Sequence, residues 1–268
     1  MGTGGRQWIS PPGNMYSTFG VPPHPNASAS AGASFVLPSH IISVLPLVCG
    51  LACREAVLHI LKKHMTEAGV AATPAWSATS VDSLVRTKWP NDLIYNHKKL
   101  GGTLIQNYEL SLSPKEGEAP VSTGRQYLLL GIGVNIANFP TVTDAGREAT
   151  ALNQIVDELN TKHKSDIKYI SRDTFIETLW DFLFAFLTDE TKTNVAYVVS
   201  AFEKVMDTSL VLHRRVSREV PAEGGEGTKT VFDRDPTELY AVKLNAWGHL
   251  IVRMPDGTKE TLMADYLY

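Results

Sequence analysis

Cysteine is scarce: the 268 residues hold only Cys49 and Cys53. Four positions apart in an apolar stretch, they can share a helix face. Two thiols, however, make neither a structural zinc site nor a disulfide framework. A buried, inert pair in a reducing compartment is the expectation. An excess of one charge is also lacking. A formal net charge of -3 leaves no basic footprint for nucleic acid or an anionic membrane, and neither is expected as a partner. Long apolar runs are absent as well. The stretch 41–61 is broken by Pro46, Gly50, Arg54, Glu55 and His59, short of the ~20 consecutive apolar residues of a membrane helix. With no secretory signal pattern, a soluble cytoplasmic protein is expected, an organelle remaining open.

What is present suffices for a sizeable core, since 43% of the residues are hydrophobic. The first twenty residues are glycine-rich and end in a strand-like run. The segment PPHPNASASAGA (22–33) is low in complexity and reads as a loop. Ser39 can cap a long helix reaching about Met65, with Pro46 imposing a kink or a late start. Three strands follow, at 86–89, 99–109 and 127–136. Asn96-His97-Lys98 and the polar insertion SLSPKEGEAPVSTG (111–124) separate them. Helical spacing of apolar residues then marks 147–159, 171–187 and 195–206. From Thr208 short strands and tight turns return, which suggests a small β-barrel.

Three clusters could carry chemistry. In Gly2-Thr3-Gly4-Gly5-Arg6-Gln7-Trp8, glycines let backbone N–H groups converge on an anion. Arg6 offers bidentate phosphate contacts and Trp8 a face for a base. A loop with a core tryptophan would look the same. In Lys88-Trp89-Pro90-Asn91-Asp92, continuing to Lys98-Lys99-Leu100-Gly101-Gly102, a lysine entering a turn supplies charge for a carboxylate or phosphoryl oxygen. Asn91 and Asp92 could cap the turn, bind a hydroxyl or hold Mg²⁺, and the two glycines suit close approach of a ligand. An ordinary hairpin is the other reading. In Leu130-Gly131-Ile132-Gly133-Val134-Asn135-Ile136, glycines alternate along an apolar strand, freeing one face for something flat beside Asn135. A bent strand is again the alternative, and the lone G-x-G is no dinucleotide fingerprint.

Taken together and in this order, GGRQWISPPGNMY, KWPND, KLGG and GIGVN resemble the biotin protein ligase family. The resemblance covers residues 1–139 well and the helices to 206 in outline. It implies an α+β fold: a mixed central sheet with helices packed on one side, the class II aminoacyl-tRNA synthetase-like biotin ligase fold. The ligase domain would occupy 1–206 and an SH3-like barrel 207–268. The implied reaction activates biotin with ATP as biotinyl-5′-AMP, then passes it to a lysine of the biotin carboxyl carrier domain of a biotin-dependent carboxylase. By resemblance, Lys88, Arg6 and Lys99 are catalytic. Lys88, Gly2, Thr3, Gly101, Gly102, Gly131 and Gly133 would meet biotin. Arg6, Trp8, Asn91, Asp92, Lys99 and Asn135 would meet ATP, with Asp92 and Asn135 on Mg²⁺.

Family members begin this domain well upstream of the tryptophan, so the chain is expected to be the catalytic part cut short at its amino end. The winged helix of the bifunctional relatives has no counterpart here, and a homodimer is left open. Two other readings remain: a lipoate or octanoate ligase or transferase on the same scaffold, and a non-catalytic relative acting as a binding module.

Overall fold

The computed structural model describes residues 11–21, 37–70, 79–112, 121–141, 147–221, 228–263 and 267. Its frame is a five-stranded sheet ordered β1-β5-β4-β3-β2, built from Met15–Val21 (β1), Val85–Lys88 (β2), Asp92–Tyr95 (β3), Lys98–Leu112 (β4) and Val121–Val134 (β5). Every neighbouring pair is antiparallel, which corrects the expected mixed sheet. Among the described residues the parallel contacts are two isolated bridges, Thr87 to Met206 and Lys99 to Ala149. The hairpin of β4 and β5 runs into the stretch expected to be a solvated insertion. The strand β3 is new: it has only four residues, too few for period-2 alternation to mark them. Asn96 and His97 turn the chain from β3 to β4 with φ of 46° and 65°, the positive values a tight hairpin turn demands.

One face of this sheet lies on helices Leu45–Glu67 (α1), Arg172–Thr188 (α4) and Val195–Val205 (α5). The short Thr79–Leu84 (α2) leads into β2, and Leu152–His163 (α3) follows β5. α1 is apolar almost all round and correspondingly buried, as a helix at the centre of a core must be. With the 3-10 turn before it, the stretch Ser39–Glu67 is long and apolar enough to cross a membrane by composition, yet 78% of its most apolar window is buried inside the protein. Ser39 does not cap α1. The 3-10 turn intervenes, and Pro46 sits in the first turn of α1, where its missing N–H costs nothing. Gly50 admits α5: a Cβ there would come within 3.3 Å of the Phe202 ring. Cys49 and Cys53 are both free and buried, and burial pushes the Cys49 thiol up to about 12.

After α5, Val211–Leu212 (β6), Leu239–Leu244 (β9), Leu250–Arg253 (β10) and Lys259–Leu262 (β11) form a sheet ordered β11-β10-β9-β6. Arg215–Pro221 (β7) and Thr228–Arg234 (β8) make a separate two-stranded ribbon. No closed barrel is found among the described residues, so the SH3-like expectation is not confirmed. β7 is exposed along most of its length and offers no apolar face on which a barrel could shut.

The turn between β9 and β10 docks this unit against the larger one. Gly248 has φ +81°, and a Cβ on it would stand 3.0 Å from the side chains of Val44 and Leu47. Its carbonyl accepts a 2.9 Å hydrogen bond from the indole N–H of Trp89.

Candidate active site

A row of directly paired residues crosses all five strands: Tyr16 opposite Gly133, Gly133 opposite Gly102, Gly102 opposite Asp92, and Asp92 opposite Lys88. Directly paired residues project from the same sheet face. The row therefore presents a phenol, two bare positions, a carboxylate and an ammonium. Gly131, two residues from Gly133, continues the bare strip. The neighbouring row of Met15, Val134, Gly101, Leu93 and Thr87 projects the other way, into the core. The sheet thus sorts the glycines singled out in the sequence. Gly102, Gly131 and Gly133 share the bare face, whereas Gly101 faces the core, where a Cβ would lie 2.6 Å from the Gly133 carbonyl oxygen.

Four charges gather at the end of the strip. Lys88 is only 6% exposed. Its ammonium donates to the carbonyl oxygen of Leu267 at 2.7 Å and to Asp92 Oδ2 at 3.4 Å. An ammonium has three N–H donors, so one has no protein partner among the described residues. Burial is the main reason the Lys88 pKa falls to about 8; Lys99 and Arg147 push the same way and Asp92 opposes. Asp92 Oδ1 pairs with Lys99 Nζ at 2.6 Å. Burial raises the Asp92 pKa, but Lys99 and Lys88 outweigh it and hold the carboxyl down at about 2. Arg147, near enough to feel Asp92 and to disturb Lys88, is the fourth charge. Sequence reasoning missed it because it arrives from a segment fifty residues along from His97, whose carbonyl it holds.

The asparagines are mostly scaffold. Asn91 donates to the Thr103 carbonyl at 2.6 Å, fixing the KWPND turn to β4. Asn135 is buried, donates to the Thr150 carbonyl at 3.0 Å and faces the Asn14 amide at 3.5 Å. With the Asp92 oxygens engaged by two ammoniums and the Asn135 carboxamide spent on Thr150 and Asn14, this pair does not fit a protein-held Mg²⁺. Among the described residues no group of three or more His, Cys, Asp or Glu side chains could hold a metal ion. Gly2, Thr3, Arg6 and Trp8 lie outside the described residues.

Asn14 was visible only as part of a motif, and the structure shows its purpose. Its Oδ1 accepts from the backbone N–H groups of Ile136, Ala137 and Asn138 at 2.8, 3.0 and 3.0 Å. Its Nδ2 donates to the Asn138 carbonyl at 2.8 Å and the Tyr16 hydroxyl at 2.9 Å. It thereby closes the end of β5 beside the strip and sets the tyrosine that ends the row. Asn14→Ala leaves several of these groups unpaired, each costing about 1–3 kcal/mol when buried. A loss of about 3 kcal/mol in unfolding free energy is expected in urea titration, and an unchanged midpoint would contradict this role.

These features place a run of glycines on one sheet face beside a buried ammonium and its paired carboxylate. Comparisons with known proteins give the class. Residues 1–113 match the model of the biotin/lipoate A/B protein ligase family. The biotin--[acetyl-CoA-carboxylase] ligase of Paracoccus denitrificans is 31% identical over 145 residues, covering 54% of this chain and 42% of that protein. The chain thus spans under half the length of that curated relative. The crystal structure of biotin protein ligase from Leishmania major in complex with biotin is 40% identical, with a TM-score of 0.57, and the match covers 98% of this chain and 84% of that one. Its complex with biotinyl-5-AMP matches at the same identity, with a TM-score of 0.55, covering 98% and 83%. The chain belongs to the biotin protein ligase family.

Proposed function

We propose that this protein activates biotin with ATP and transfers it to the ε-amine of a lysine on a biotin carboxyl carrier domain. In the first step a biotin carboxylate oxygen attacks the α-phosphorus of ATP, and the bond to pyrophosphate breaks, leaving biotinyl-5′-AMP. In the second, the carrier amine attacks the acyl carbon, the bond to the AMP oxygen breaks, and a proton passes to water. The observation carrying this reading is the buried Lys88 ammonium at the end of the glycine strip, one of whose N–H groups has no protein partner among the described residues. A flat apolar acid lying on Gly131, Gly133 and Gly102 brings its carboxylate to that donor. Partly desolvated cations stabilise charge far more than exposed ones. Lys88 therefore orients the carboxylate for attack and holds the same oxygen as it becomes an acyl phosphate. Lys99, held by Asp92, adds positive charge on the phosphoryl side. We place this ligase unit at residues 1–206 and the smaller β-unit at 207–268.

The same scaffold could take lipoate, whose carboxylate would meet Lys88 equally. Pyrophosphate release by the full-length protein, measured with ATP and either acid, separates the two. Release with biotin and none with lipoate is expected, and the reverse outcome would overturn the assignment.

A further inference from the structure

We infer that Arg147 binds the pyrophosphate displaced from ATP, and so serves the activation step but not the transfer step. This rests on the activation reading above and goes beyond it by assigning a residue to the leaving group.

The position of Arg147 is fixed by backbone. The Lys99 N–H donates to the Glu148 carbonyl at 2.7 Å and the Thr150 N–H to the Lys99 carbonyl at 2.9 Å, so 148–150 lies against the start of β4. One terminal nitrogen of Arg147 donates weakly to the His97 carbonyl at 3.4 Å. Its Nε is buried and has no hydrogen-bond partner among the described residues. Buried donors are nearly always paired, so an unpaired one calls for a ligand. The Nε and the second terminal nitrogen form the guanidinium edge that grips two oxygens of a phosphate side by side. The groups facing it are mixed in sign: Asp92 and Asp207 attract it, and Arg234 repels it.

The direction matters as much as the chemistry. On β4 the bare face runs from Leu104, opposite Gly131, through Gly102, opposite Gly133, towards Lys99 and the turn at His97. A strand advances about 3.3 Å per residue, so the Lys99 end of β4, which 148–150 lies against, is on the order of 10 Å along the strand from Gly102. Displacement at phosphorus sends the leaving group out opposite the attacking oxygen. Pyrophosphate leaving on the Lys99 side would meet Arg147, which sits at that end of β4 beside the His97 carbonyl. Lys88 and Lys99 are partly offset by Asp92, one net positive charge among three groups, which is little for a triphosphate. Arg147 supplies another on the side where the charge leaves.

The test uses the full-length protein and the variants Arg147→Ala and Arg147→Lys. In biotin-dependent ATP–pyrophosphate exchange, R147A is expected to raise the KM for pyrophosphate roughly 10- to 100-fold. Transfer from preformed biotinyl-5′-AMP to a carrier domain is expected to stay within about twofold, since no pyrophosphate is present. R147K is expected to recover only part of the loss, because a point charge cannot span two oxygens. An unchanged KM for pyrophosphate, or equal losses in both half-reactions, would overturn the inference. Calorimetric titration of wild type and R147A with pyrophosphate alone reads the same contact without biotin. Weakened binding there supports Arg147 even if the exchange assay fails for wild type, a failure that would count against the activation reading instead. Unaltered binding refutes Arg147 in either case.

Discussion

Lys88→Met is expected to slow formation of the acyl-adenylate by about 100- to 1000-fold, the loss typical when one preorganised donor to a developing anion is removed. Methionine keeps much of the length and removes the charge, so the β2–β3 turn has no steric reason to move. Asp92 keeps its 2.6 Å partner Lys99 and is not left alone. Rapid-quench measurement of adenylate formation checks the rate, and a loss below tenfold would remove Lys88 from the chemistry. The pH profile is a second check. With the Lys88 pKa at about 8 in the free protein, the working ammonium is lost as pH rises, so kcat/KM for the first step falls on the alkaline side of about 8. Stability moves the other way. Between about 8 and the ordinary lysine value of 10.5 the unfolded chain binds more protons than the folded one, so folding gains as pH rises through that window. K88M should abolish both trends.

Gly133→Val should raise the KM for the acid by about 100-fold or more, since even one methylene in a fitted apolar slot is worth about 10- to 200-fold. Gly133 pairs directly with Tyr16 on one side and Gly102 on the other, so an isopropyl group here stands in the middle of the bare strip. Valine suits a strand better than glycine, and urea titration should show no large loss of stability. The combination of an intact fold, a poor KM and a modest change in kcat is the signature of an occupied slot. Retained affinity for biotin in equilibrium dialysis would show that the acid lies elsewhere.

Much of this site could be read from the sequence because short-range patterning dictated it. An apolar run with alternating glycines placed β5, the Asn96-His97 turn followed from backbone chemistry, and the spacing of Lys88, Asp92 and Gly102 held because two successive hairpins join them. Helix α4 began where Ser171 foretold, its side chain accepting from the Thr174 N–H at 3.1 Å. What escaped was long-range or made of backbone. Gly101 and Gly102 look alike in sequence, yet a strand sends neighbours to opposite faces, so only register separates their roles. The Leu267 carbonyl, 179 residues from Lys88, has no side-chain signature at all. The barrel was expected from turn spacing and from the family resemblance, and turn spacing cannot tell a closed wall from an open sheet and a ribbon.

Two consecutive residues, Lys88 and Trp89, clasp the smaller β-unit, one through the carbonyl of Leu267 and the other through that of Gly248. Peeling that unit away would strip the lysine of an acceptor and the indole of its own. Heating should therefore abolish the proposed adenylate formation when this clasp opens, ahead of any melting of α1, and remote changes in the last strands would be felt as altered reactivity.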